Sequence, residues 1–278
     1  MSPRDHQIFK DHPLNGRITL STGEAPTPYH IYNGYGLFIG GDCDLNAARQ
    51  LLQPEHMTPV QTIDGRGLMG LWICDFTEAS LGPHHELQIS IFVSDQPVAP
   101  IDPRGLKMSA MMLTRTDVQM MCHGLWNNTP NVVAYNREYL SLNAHQTDSR
   151  IERDAHVLRF TFNDHATGQA MLSGTVSLSQ HAAWRANWDF MRALGFKQAM
   201  RLRQQAWVSM NVINPVGVGL DRNAAARTFT ANAKTILRYS EPRTDTLDFG
   251  ATPYRALHFR PRFVQYMDGF KFVYLQPR

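Results

Sequence analysis

The chain has 278 residues, 43% hydrophobic and 18% charged, with a formal charge of +3 and a pI near 8.8. That is ordinary globular composition, enough to bury a sizeable core. It excludes a nucleic-acid binder, which needs clustered cations and a recognition motif, and a bilayer-spanning chain, since no apolar run approaches ~18 residues.

In chain order, residues 1–28 are polar and punctuated by prolines, and read as an arm lying over a single domain of residues 29–278. Asp44 can cap a helix that runs to Leu52 and stops before Pro54. Residues 68–76 form a continuous apolar run, as expected of a strand covered on both faces. Residues 85–93 alternate, with Leu87, Ile89, Ile91 and Val93 on one face and Glu86, Gln88 and Ser90 on the other; His84 extends the polar face. Thr129 and Pro130 start a short helix. Residues 156–162 and 171–178 make a hairpin around the Asn163, Asp164 and Gly168 turn. Residues 182–207 have helical composition broken at Gly195, and the Trp184, Trp188, Met191, Leu194 stripe reads as core. Residues 230–239 and 270–275 read as further strands. Many strands and few helices predict a mainly β (α+β) closed antiparallel barrel with helices at its ends.

The N-terminus lacks an apolar leader. Cys43, Cys74 and Cys122 are too few and too scattered for a disulfide framework or a zinc ribbon. A soluble, cytoplasmic protein with no membrane partner is expected. The run 216–220 is no dinucleotide fingerprint, and no phosphate loop, HExxH or GxSxG is present. His84, His85 and Glu86 are a poor metal triad because adjacent strand residues point to opposite faces. Neither a metal nor a cofactor is expected.

Three segments carry a resemblance. Residues 129–145 contain Arg137 and Glu138 on a helix that leads to Ala144 and His145; residues 75–87 end in Glu86; residues 44–54 form a short helix before a proline. Together they resemble the acetoacetate decarboxylase family, over most of residues 30–275. The family's lysine pair would fall on Ala144 and His145, and its substrate-facing arginine near Gly40 or Gly41, so both are missing. Alanine forms no imine, whereas histidine can shuttle protons near neutral pH.

The resemblance implies a double-layered closed β-cone around a cavity, with Glu86 on its lumen side; periodicity alone leaves solvent as the other choice. It also implies a homo-oligomer. The expected site has Glu86 as acid–base group, Arg137 as anion anchor, Glu138 as its partner and His145 as relay. His84, Gln88 and Tyr139 are expected to bind substrate. Glu86 and Arg137 could equally form a structural ion pair.

The implied activity is a lyase-type one, in keeping with secondary metabolism. It would act on a small oxo-acid or polyketide-like molecule by enolisation, dehydration, cyclisation or decarboxylation without a Schiff base. Two alternatives stay open: a non-catalytic small-molecule binder, and a Schiff-base decarboxylase using Lys107, Lys234 or Lys271.

Overall fold

A computed structural model describes residues 3–104, 106–179, 183–204, 207–215, 227–231 and 234–275. The expected arm is more ordered than its composition suggests. Helix α1 (Gln7–Asp11) buries Ile8 and Phe9 against Tyr32 and Val273. It is followed by an antiparallel hairpin of β1 (Gly16–Leu20) and β2 (Gly23–Thr27).

The body is a large mixed sheet. Its first strands are β3 (Tyr29–Cys43), β4 (Thr58–Pro59), β5 (Gly67–Ala79), β6 (His84–Ser94) and β7 (Gln119–Asn127). After these come β8 (Ala144–Arg153), β9 (Val157–Asp164), β10 (Ala170–Ser177), β11 (Trp207–Ile213) and β12 (Arg227–Ala231). The last are β13 (Lys234–Tyr239), β14 (Thr246–Asp248), β15 (Arg260–Asp268) and β16 (Lys271–Leu275). Helix α2 (Leu45–Leu51) is capped by the Asp44 side chain, which accepts from the Ala47 amide at 2.9 Å. Helix α3 (Lys107–Thr114) and the short α4 (Pro130–Ala134) come next, and α5 (Ala183–Leu194) and α6 (Phe196–Gln204) form a bent pair broken at Gly195, whose φ is +79°.

Strand β3 pairs with β5, β15 and β16; β5 with β6; β6 with β7; and β7 with β8 and β11. The pairings of β7 with β8 and with β11 are parallel, so the expectation of a purely antiparallel sheet is corrected. For β7 and β8 the cause is the chain between them. It carries α4 and a π-helical turn (Tyr135–Tyr139), the kind of helical crossover that parallel neighbours need. The single strand expected over 230–239 is two, β12 on β16 and β13 on β15. The run 216–220 lies outside the described residues.

Alternation along the central strands builds two apolar layers. Phe38, Trp72, Cys74 and Phe76 belong to one cluster with Met120, Phe270, Phe272 and Tyr274. Their chain neighbours Leu37, Ile39, Leu71, Ile73, Leu87 and Ile89 belong to another, with Phe160, Phe162 and Leu172 from the β9–β10 hairpin. Each such side chain contributes about 1.5–3 kcal/mol by leaving water. Strand β6 is therefore covered on both sides, and its polar residues face an interior.

Gly40 and Gly41 pair with Phe263 and Pro261 of β15, across a register shift. A Cβ on Gly41 would lie 2.1 Å from the Arg260 carbonyl oxygen, and one on Gly40 would lie 2.3 Å from the Phe263 ring. Neither position has room for a side chain in this packing.

Candidate active site

A narrow cavity lies inside the first apolar layer. It is lined by Trp72, Cys74 and Phe76 from β5, Glu86 and Gln88 from β6, Met120 from β7, Val212 from β11, Phe270, and Phe272 and Tyr274 from β16. It has room for the centres of one or two water molecules, about 20 Å³. The aromatic wall is continuous: Phe270 stacks on Trp72, Phe76 and Phe272 at 6.1, 6.3 and 5.7 Å.

Among the described lining residues Glu86 is the only carboxyl, and it is 3% exposed. Asn127 Nδ2 donates to its Oε2 at 3.1 Å, and Tyr274 Oη donates to its Oε1 at 3.3 Å. Burial outweighs these two donors and pushes its pKa up from 4.5 to about 7. Asn127 is itself held by Asn136, whose Nδ2 donates to its Oδ1 at 2.9 Å. A polar chain thus runs from the π-helical turn through β7 to the carboxyl. Such π-helical insertions recur at functional sites.

His84 is buried behind the cavity wall, 5.0 Å from the Phe76 ring. Its Nδ1 lies 2.9 Å from the Gly82 carbonyl oxygen, which can only accept, so Nδ1 carries the proton. Nε2 then accepts from the Tyr29 hydroxyl at 2.6 Å. Burial lowers its pKa to about 4, so the ring is neutral at pH 7. Tyr29 in turn stacks on Tyr274, with centroids 5.5 Å apart and planes 8° from parallel. Gln88, also in the lining, donates to Ser90 Oγ at 2.7 Å. The Cys74 and Cys122 thiols have pKa values raised by burial first and the Glu86 charge second, so neither supplies a thiolate nucleophile.

The structure does not bring Arg137, Glu138 or His145 to this cavity. In register, Ala144 sits beside Leu125 and His145 beside Trp126. Leu125 and Ala144 belong to the inner layer, whereas Trp126 belongs to the outer one. Strand alternation therefore turns His145 away from Glu86. It is exposed, stacks on Trp126 at 5.8 Å, and contacts Asn143 Oδ1 at 3.0 Å. Its pKa is lowered, first by partial burial and then by the Arg137 charge.

Arg137 is exposed on the π-helical turn, whose buried members are Tyr135 and Asn136. Glu138 is also exposed and accepts from the Ser21 amide at 2.9 Å and from its hydroxyl, which ties the β1–β2 turn to the body. Tyr139 is half-buried, 5.1 Å from the Tyr135 ring, with its hydroxyl 3.0 Å from that of Thr27. The expectation that Glu86 and Arg137 share one chamber is corrected on this geometry.

All five lysines lie in described segments, and none is buried or lines the cavity. Lys107 pairs with Asp102 on the surface, and Lys271 donates to the Gly269 carbonyl. His85 faces away from Glu86, its Nδ1 2.9 Å from Ser149 Oγ and its Nε2 3.8 Å from Asp75. Among the described residues no three metal-ligating side chains come together, and no helix is long and apolar enough to cross a membrane. Asn127, Asn136, Tyr274 and Tyr29 escaped the sequence reading because only long-range pairing brings them to Glu86.

No protein-family model and no curated protein matches the sequence. Solved structures do match. Acetoacetate decarboxylase from Legionella pneumophila superposes with a TM-score of 0.54 at 10% identity, covering 99% of this chain and 95% of that one. A second acetoacetate decarboxylase structure gives 0.53 at 16% identity over 90% and 87% of the two chains. The enduracididine biosynthesis enzyme MppR, complexed with pyruvate, gives 0.50 at 11% identity over 95% and 99%. The chain therefore has the acetoacetate decarboxylase-like fold.

Proposed function

We propose that this protein is an acid–base catalyst of the acetoacetate decarboxylase-like fold that moves a proton at the carbon alpha to a carbonyl, with Glu86 as the proton carrier. The observation that carries this reading is the buried Glu86 carboxyl, with its pKa raised to about 7, as the one carboxyl among the described residues that line an apolar cavity. A group that titrates near the working pH can both take and return a proton. The Tyr274 hydroxyl, beside Glu86, is the neighbouring donor that would orient the carbonyl oxygen.

A closed cone would supply the dry environment this chemistry needs. It is supported by the circuit of pairings from β3 through β5, β6, β7, β11, β12 and β16 back to β3. Among the described lining residues there is no cation. A substrate carboxylate would be desolvated beside Glu86 with no described lining cation to pair it, so the substrate class favoured is a small neutral carbonyl compound rather than an oxo-acid. No lysine reaches the cavity, so the reading contains no Schiff base. Arg137, Glu138 and His145 enter it only as surface groups near the helix that positions Asn136.

The test is deuterium exchange at the alpha carbon of the smallest neutral ketones, acetone and butanone, followed by proton NMR at pH 7. The wild type is expected to exchange about a hundredfold faster than Glu86→Gln. Equal rates for the two proteins across the panel contradict the assignment and favour a binder that returns its ligand unchanged.

A further inference from the structure

The Trp184, Trp188, Met191 stripe, whose helical spacing reads as core, faces the other way. Trp184 is 76% exposed, Trp188 61% and Phe196 74%, with Met191 and Met200 also exposed. Among the described residues these five make up most of the large exposed hydrophobics; Leu14 and Ile63 are the others. The helices are fixed to the body by their opposite side: Ala186 is fully buried, and Tyr239 donates to Asp189 at 2.5 Å.

At 100° per residue, Trp184, Trp188 and Met191 share one stripe of α5, with Arg185 and Arg192 along its edge. Helix α6 repeats the pattern, with Phe196 and Met200 edged by Lys197 and Arg201. All four cations are exposed. Residues 183–204 hold five basic residues and one acid, so this one segment carries more positive charge than the net +3 of the whole chain.

We propose that the α5–α6 face docks on an anionic phospholipid surface, with the two tryptophans and Phe196 entering the headgroup boundary and the flanking cations pairing with lipid charge. Aromatic residues beside Arg and Lys on a helix of strong amphipathicity are what interfacial binding requires, and no bilayer-spanning segment is needed. A second copy of the chain fits less well. A two-fold contact through this face would set its cations against their own copies.

The test is flotation of the full chain with phosphatidylcholine vesicles, with and without about 30% phosphatidylserine. Binding is expected only with the anionic lipid, falling as salt rises, with a blue shift of tryptophan emission. Arg185→Gln with Arg192→Gln is expected to weaken partitioning about 30-fold, and Trp184→Ala with Trp188→Ala to remove both binding and the blue shift. These side chains are exposed, so a circular-dichroism spectrum like that of wild type serves as the folding control, and the salt series on wild type stands without any variant. No binding to either vesicle, or equal binding to both, overturns the proposal. So does a wild-type dimer that the tryptophan variant converts to monomer without any vesicle binding; that result assigns the face to a second copy.

Discussion

Replacing Glu86 with glutamine is expected to make the protein more stable than wild type at pH 8 by about 3 kcal/mol, and to leave the two equal near pH 4. The folded carboxyl keeps its proton until about pH 7, whereas the unfolded chain releases it near 4.5. Between these values the folded state binds more protons, so this group's contribution to stability falls as pH rises, by about 1.4 kcal/mol per pH unit. Glutamine has no proton to lose. It can also satisfy the same neighbours, with its carbonyl accepting from Asn127 and its amide donating to Tyr274.

The wild-type profile alone would mislead. His84 and His30, with pKa values lowered to about 4 by burial, act in the opposite direction, since their unfolded forms bind the extra proton between pH 4 and 6.5. The readout is therefore the difference between variant and wild type in urea unfolding from pH 4 to 8. Parallel profiles over this range would show that Glu86 titrates as an ordinary carboxylate.

A second large effect is expected at Asp245. Arg238 is buried between β13 and the end of β10, and both its terminal nitrogens donate to the Asp245 carboxylate, at 2.6 and 2.7 Å. Arg238 also donates to the carbonyls of Ser177 and Tyr239, while Asp245 accepts from the amides of Ser177 and Glu241. Burial works to raise the Asp245 pKa, but the guanidinium and the amide donors bring it below its ordinary value. Asp245→Ala leaves a buried cation unpaired and is expected to cost about 3–5 kcal/mol in urea unfolding. Adding Arg238→Met to it is expected to cost less than the two single changes summed, because the second change removes the stranded charge. A single-variant loss below about 1 kcal/mol would place the pair in the ordinary surface class.

The strands legible in the sequence are those whose side chains declare their own environment. The apolar run 68–76 lies within β5, the alternating run 85–93 within β6, and the turn residues 163–168 join β9 to β10. Strand β8 was not legible because its exposed face is polar and its pairing is supplied by the remote β7 and β9. Glu86 and Gln88 could be placed on one strand face from periodicity, but the same pattern suited solvent as well as lumen. Arg137 and His145 were drawn into the site by likeness to a motif. A π-helical turn and one step of strand alternation send both outward, and neither is visible in residue types. The tryptophan stripe shows the same limit: spacing reveals that a face exists, not which way the body turns it.

The most direct measurement is the titration of the Glu86 carboxyl carbon itself, by NMR of protein labelled with carbon-13 at glutamate, with Glu86→Gln identifying the resonance. A midpoint near pH 7 is what a proton carrier sealed among aromatic rings must show. A midpoint at or below 4.5 would mean a hydrated or cation-paired carboxylate, and the proposed chemistry would lose its acid and its base together.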